Sequence, residues 1–303
     1  MRRLLAHRFS LPLATAALGV GIVTASSSIL NNHPQRRPIF TSHCAPKINK
    51  PAEAMSEENI PGLYSQDKLR SMSINITGMR IPYHGKNESF TEDQLVAREP
   101  FSQFNNWFER AAITEGIEEP NAMCLATATK DGKPSCRMVL LKGYGIDGFK
   151  FFTNYCSRKG RELEENPWVS LNFYWEPMKR CIRVEGRVER LSVEESTEYF
   201  HSRPISSQVG AAISPQSQPV PGREFLLEKE KELLANVGEN KCVDKPETWG
   251  GFVVIPDVIE FWQGQTNRIH DRIRFRKRAP GECPDNVLVH EGENGWVFER
   301  LAP

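Results

Sequence analysis

Cations, aromatic rings and one histidine, grouped at short spacing, are the residues of this chain best suited to chemistry, and they fall in four places. The first is the run Arg137-Met138-Val139-Leu140-Leu141-Lys142. Side chains alternate faces along a strand, so a regular strand puts Arg137 and Lys142 on opposite sides. They would serve two different anions, unless one of them is simple surface. The second is Ser157-Arg158-Lys159-Gly160. It opens an expected helix, where free N–H groups and the helix dipole favour a phosphate; a solvated basic turn is the plainer account. The third is Tyr199, Arg203 and Ser207. Tyr199 and Arg203, four apart, share one helix face. A guanidinium, a phenol and a hydroxyl together suit one phosphate, although a helix-end arginine beside a packed tyrosine explains the spacing equally well. The fourth runs from Phe261 to Arg272 and holds Trp262, Arg268, Ile269, His270 and Arg272. Tryptophan offers a flat stacking surface, and arginine both stacks and pairs with anions. His270 by itself would signify little.

Other chemistries lack their residues. There is no GxSxG elbow and no Cys/His pair marked out locally. No pair of carboxylates sits in a polar, Gly-bounded setting suited to glycoside cleavage. The seven cysteines form no CxxC unit, which argues against a disulfide framework and against a metal site. Neither GxGxxG after a strand nor GxxxxGK[ST] occurs, so a Rossmann or P-loop nucleotide site is unsupported. A site rich in cations and aromatics but poor in bases suits a phosphorylated aromatic ligand and a cofactor that carries the hard chemistry.

The elements that must position these groups are short. Phe101, Phe104, Trp107, Phe108 and Ala111 recur at helical spacing and predict an amphipathic helix over Pro100–Ile117. Strands are expected at Asn121–Thr129, Ser135–Leu141 and Gly148–Tyr155, joined by Asp-Gly turns. A short helix over Ser157–Asn166 ends at Asn166-Pro167. Val169–Trp175 and Arg180–Arg190 alternate and read as an antiparallel pair. Ser192 with Glu195 forms a capping box for a helix towards Ser202, and Ile205–Ile213 is another. Arg223–Ala235 is a charged helix with Phe225, Leu226, Leu227, Leu233 and Leu234 as its inner side. Gly251–Ile255, Val258–Gln263, Ile269–Phe275 and Trp296–Glu299 are further strands. The class is mainly β with inserted helices, a closed or nearly closed β-barrel.

At 303 residues and 39% hydrophobic, the chain can bury one large core or two small ones. A net charge of +1 predicts no general attraction to nucleic acid, so a nucleic-acid-binding barrel is disfavoured. The charge is uneven: the first acidic residue is Glu53, while Arg2, Arg3, Arg8, Arg36, Arg37, Lys47 and Lys50 precede it. Basic, Ser-rich and acid-poor composition predicts a mitochondrial transit peptide over 1–55. The apolar run Leu11–Val23 keeps a signal peptide or short anchor as the rival, but it is short of the ~20 residues a stable membrane span needs. Residues 56–95 read as a mobile arm, and 96–303 as the folded domain. Mitochondrial localisation is expected, with the cytoplasm, after cleavage or an alternative start, as the second possibility.

Asn121–Thr127, Asp131–Ser135, Arg137–Lys142, Phe151–Asn154, Phe173–Pro177, Arg183–Gly186, Phe200–Pro204, Phe261–Arg272 and the ending Glu299–Pro303 resemble, in order, the pyridoxamine 5'-phosphate oxidase family. The likeness runs from about Met79 to the last residue. It implies an FMN-binding split β-barrel, a homodimer with flavin sites built from both chains. It also implies oxidation of pyridoxine 5'-phosphate and pyridoxamine 5'-phosphate by O2 to pyridoxal 5'-phosphate and H2O2, with ammonia released from the amine. In that mechanism a hydride passes from substrate C4' to flavin N5. By the same resemblance Arg137, Met138, Val139, Leu140, Phe152, Thr153, Arg158, Lys159, Gln216, Ser217, Trp262 and Arg272 bind FMN. Lys142, Tyr199, Arg203 and Ser207 bind the substrate phosphate. Arg268, Ile269 and His270 lie against the pyridine ring, with Arg268 and His270 catalytic, and Arg80 and Tyr83 match a lid pair. One departure stands out: the family commonly has a flavin-contacting Gln where this chain has Cys181. The alternatives are another split-barrel flavin oxidoreductase and a non-catalytic carrier of flavin or pyridoxal phosphate.

Overall fold

The computed structural model describes residues 77–79, 83, 89–237 and 242–303. The expected targeting segment, most of the expected arm and Arg80 lie outside them.

Among the described residues, ten strands are interspersed with five α-helices. Helix α1 (Pro100–Ala112) has proline at its first position, and the Glu99 carboxylate caps it by accepting from the Phe101 and Ser102 N–H groups, both at 2.7 Å. It stops short of the expected Ile117 because Ile113 leaves helical geometry and Gly116 turns the chain at a φ of 84°. The first strands are β1 (Ala122–Ala128), β2 (Pro134–Leu140), a short β3 (Gly143–Gly145) that sequence patterning did not reveal, and β4 (Gly148–Asn154). Helix α2 (Arg158–Glu165) follows, capped by Ser157, whose Oγ accepts from Gly160 N–H. Next come β5 (Trp168–Trp175) and β6 (Arg180–Arg190), then α3 (Val193–Ser202), α4 (Ile205–Ile213) and α5 (Arg223–Asn236). The last strands are β7 (Trp249–Gln263), β8 (Asp271–Lys277), β9 (His290–Glu291) and β10 (Trp296–Arg300).

Every pairing is antiparallel, in the order β2-β1-β5-β6-β7-β8-β10-β9. Strand β7 decides the architecture. From Phe252 to Gln263 it pairs with β6; on its other edge the first half, from Trp249 to Val254, pairs with β4 and the second half, from Val258 to Gln263, pairs with β8. The sheet therefore divides along one strand, and its two leaves curl around a shared interior. Sequence patterning expects two strands here, broken at Pro256-Asp257. The structure has one, because β6 and β7 change register between Glu185 and Gly186, so that Asp257 is an extra residue and Pro256 sits at the bulge, where a strand tolerates proline.

The interior is aromatic. Phe104, Trp107, Phe149, Phe151, Phe173, Phe261 and Phe275 are fully enclosed, in edge-to-face contacts such as Phe104–Phe149 at 4.9 Å and Trp107–Phe261 at 5.3 Å. Phe90, in the segment read as an arm, is also buried. It packs on Trp107 and Phe261, and its N–H donates to Asp271. A second, smaller cluster of Phe200, Val209, Val243 and Trp249 fixes α3 and α4 beside the start of β7. Helix α5 differs from expectation: it buries no residue, and Leu227 and Leu234, assigned to its inner side, are 47% and 46% exposed.

Candidate functional site

The predicted residues gather at the two ends of β7. At its start a cleft of about 640 Å³ is lined by Met138, Val139 and Leu140 of β2, Lys142, Phe152 and Thr153 of β4, Lys159 of α2, Tyr199 of α3, Arg203, Ser207 and Gln216. Lys142 follows the end of β2 and reaches the same cleft as the strand. Arg137 turns away instead: its guanidinium donates to Thr127 Oγ1 at 2.6 Å and to the Leu125 carbonyl at 3.2 Å. The two cations are thus separated: Arg137 packs against β1, while Lys142, two residues beyond β2, reaches the cleft.

Two anion-seeking features mark this cleft. Lys159, only 8% exposed, donates to Thr153 Oγ1 and Gln216 Oε1 at 3.1 and 3.2 Å. Burial first, and the nearby Arg137 second, push its pKa down to about 8, against the pull of Glu162. Arg203 caps the end of α3; its Nη2 donates to the Ser207 backbone carbonyl at 2.8 Å, not to the hydroxyl, and its guanidinium lies 4.9 Å from the Trp249 ring. Its buried Nη1 has no partner among the described residues, so a donor is aimed with nothing to receive it. Tyr199 stacks on Phe152 at 4.0 Å, giving the cleft an aromatic wall.

Behind the cleft sits a residue that sequence reasoning passed over. Glu162 is 4% exposed and accepts from Thr127, from Ser135 at 2.6 Å and from Arg158 at 2.8 Å, with Arg137 at 3.4 Å. Burial would raise its carboxyl, but the bonds from Ser135, Thr127 and Arg158 outweigh this and hold it at about 2. It ties Arg137 and Arg158 into one frame beside Lys159. Its only sequence signal was a position four residues after Arg158 on a helix. Ser217 is exposed beside Gln216 in a left-handed turn, at a φ of 68°, and does not line the cleft.

At the other end of β7 a cleft of about 260 Å³ holds Tyr83, Tyr174, Lys179, Thr266, Arg268 and His270. The strand expected from Ile269 starts only at Asp271, because Gly264–His270 forms a loop in which the Asn267 side chain accepts from Ile269 N–H at 3.0 Å. Arg268 has a left-handed backbone, φ 69°, unusual for a residue with a side chain. It is exposed, and its guanidinium makes no hydrogen bond or ion pair among the described residues. Ile269, 66% exposed, does not line the cleft. His270 Nδ1 accepts from the Gln265 N–H at 2.9 Å, so the neutral ring carries its proton on Nε2. Burial, then Arg268, lowers its pKa despite Asp271, which favours that neutral form. Tyr83 covers this corner: its ring is 5.9 Å from His270 and 6.3 Å from Trp262, and its carbonyl accepts from Thr266 Oγ1 at 2.5 Å.

Trp262 and Arg272 line an adjoining cleft of about 410 Å³ with Asn172, Cys181, Arg183 and Glu260. The buried Glu260 carboxylate accepts from Arg183 at 2.6 Å and from Arg272 at 2.7 Å, fixing both guanidinium groups. Trp249 and Trp262 stand at opposite ends of one strand, roughly 40 Å apart if it is extended. One chain therefore does not bring Lys159 and Arg203 to Arg268 and His270.

A split sheet with a phosphate-seeking cleft at one end and an Arg–His corner at the other defines a barrel for phosphorylated aromatic ligands. Comparison with known proteins agrees. The family profile described as pyridoxamine 5'-phosphate oxidase matches residues 110–233, and that of the pyridoxine 5'-phosphate oxidase C-terminal dimerisation region matches 249–303. The pyridoxine/pyridoxamine 5'-phosphate oxidase of Bombyx mori is 55% identical over 236 residues, 78% of this chain and 92% of that protein. The pyridoxine-5'-phosphate oxidase of Bos taurus is 54% identical, over 77% of this chain and 90% of that protein. Among solved structures, PhzG from Burkholderia lata in complex with tetrahydrophenazine-1-carboxylic acid superposes with a TM-score of 0.62 at 28% identity, covering 72% of this chain and 98% of that one. The chain belongs to the pyridoxamine 5'-phosphate oxidase family. It carries the family's dimerisation region, and β7 and β8 lie within it.

Proposed function

We propose that this chain oxidises pyridoxine 5'-phosphate and pyridoxamine 5'-phosphate to pyridoxal 5'-phosphate with FMN and O2, at two sites shared between the copies of a homodimer. The observation that carries the reading is the division of one site's residues between the two ends of β7. In a two-fold dimer one protomer's Lys159 cleft can face its partner's Arg268 corner, and the symmetry makes two such sites.

The residues fit FMN. The buried Lys159 ammonium, with Arg137 and Arg158 framed by Glu162, would take its phosphate at the start of α2. Trp262 and Arg272 would meet the flavin from the partner copy, with Arg272 held by Glu260. Lys142, Tyr199 and Arg203, through its unmatched Nη1, would hold the substrate phosphate. Arg268 would offset negative charge on the substrate, and neutral His270 would orient it by donating from Nε2. Tyr83 would exclude water over this corner, tied down by Thr266. Bound FMN would supply the oxidising chemistry, with O2 as the final electron acceptor. The protein contributes alignment and charge.

The test is the chain reconstituted with FMN and given pyridoxine 5'-phosphate in air, with aldehyde and H2O2 followed together. Equal rates of both are expected. A yellow protein that binds substrate but yields neither product would be a carrier, and a colourless one would have no flavin site. Arg268→Leu is expected to lower turnover on the order of 10²-fold with flavin content unchanged; equal loss of both would make Arg268 structural. The acid-free, basic segment before Glu53 supports a mitochondrial presequence, tested by whether residues 1–55 carry a fluorescent protein into mitochondria.

A further inference from the structure

The cleft around Trp262 and Arg272 contains a carboxamide with a defined orientation. In the β5–β6 ladder Tyr174 faces Cys181 and Asn172 faces Arg183, so Asn172 and Cys181 are diagonal neighbours on the sheet face turned away from the core. Both line the same cleft. The Cys181 thiol donates to Asn172 Oδ1 at 2.9 Å. Burial first, then Glu260, raises the thiol's pKa, so it remains a donor at neutral pH. A thiol donor can hold only the oxygen of an amide, so Asn172 Nδ2 is the end left to face other partners. Among the described residues Nδ2 has none. The arrangement therefore offers an N–H₂ donor beside an indole and a guanidinium, in the cleft assigned above to the flavin.

We propose that Asn172 is a cofactor-binding residue of this chain: oriented by Cys181, its Nδ2 donates a hydrogen bond to a ring acceptor of the flavin. The amide function that the family commonly places at position 181 is then supplied from the neighbouring strand, and Cys181 acts as a positioning residue. This rests on the FMN reading given above.

The test is FMN affinity of the full chain, measured by quenching of flavin fluorescence, with the visible flavin spectrum and thermal stability recorded alongside. Asn172→Ala is expected to weaken FMN binding about tenfold and shift the flavin bands, with an unchanged melting temperature. Cys181→Ala is expected to weaken binding about threefold, because the amide loses its orientation. Adding Cys181→Gln to Asn172→Ala is expected to restore most of the affinity. Unchanged FMN affinity and spectrum in Asn172→Ala would overturn the proposal and leave the FMN reading standing. Loss of affinity in step with loss of stability, without rescue by Cys181→Gln, would overturn it too, because the residue would then be structural. A wild-type chain that binds no FMN would overturn both.

Discussion

An ammonium enclosed without a carboxylate against it is costly to build, and among the described residues Lys159 is placed that way, with only a hydroxyl and an amide oxygen in reach. Its pKa of about 8 sets two linked expectations. A phosphate binds the charged amine, so FMN affinity should fall as pH rises through about 8, measurable by titration at fixed ionic strength. For the cofactor-free fold the sign is opposite. An unfolded lysine titrates near 10.4, so between about 8 and about 10.4 the unfolded chain holds more protons, and this group's penalty on the fold, full below 8, fades as pH rises. Lys159→Met should therefore raise the melting temperature of the cofactor-free protein while weakening FMN about tenfold to a hundredfold. A fall in both would remove the anion-binding role. In the sequence, Ser157-Arg158-Lys159-Gly160 was legible as a helix start with cations. That Lys159 goes inward while Arg158 stays 57% exposed was not, because both side chains reach either way.

At the scale of elements, the local patterns placed most helices and strands to within a residue or two, since alternation in β5 and β6 matches their burial directly. The exceptions are particular, and β9, two residues long, was as unmarked as β3. Strand β3 is three residues long, too short to show a period. Helix α5 keeps its expected bounds to within a residue, but Leu227 and Leu234 stay exposed among the described residues. Strand β7 was read as two because proline normally ends a strand, and only the partner strand shows the bulge that tolerates it. Gly186 is the hinge of that tolerance: a Cβ there would lie 2.1 Å from the Ile255 carbonyl oxygen. Gly186→Ala should destabilise the fold by about 1–3 kcal/mol, read from denaturant unfolding. It should also disturb both clefts, because β7 carries residues of each. A stability equal to wild type would mean the bulge can relax.

For the whole molecule, the roles of individual residues were legible chiefly through family likeness, whereas their division between the two ends of β7 needed coordinates. That division makes a quantitative forecast. Lys159→Met spoils one half of a site and Arg268→Leu the other. Refolded together, half of the dimers pair one variant with the other, and in these one site collects both defects while its twin has neither. About a quarter of wild-type activity should return. No recovery, with dimer exchange confirmed, would place each site within one chain.

The buried charge of Lys159, without a carboxylate in direct contact among the described residues, also bears on how much of this protein a cell keeps. A ligand that binds only the native state adds stability in proportion to the logarithm of its free concentration, and here it would neutralise a built-in penalty as well. When riboflavin is scarce, newly made copies would lack that neutralisation, open more often and meet proteases sooner. Abundance would then follow the vitamin supply without any change in gene expression, so that shortage of one vitamin curtails production of another.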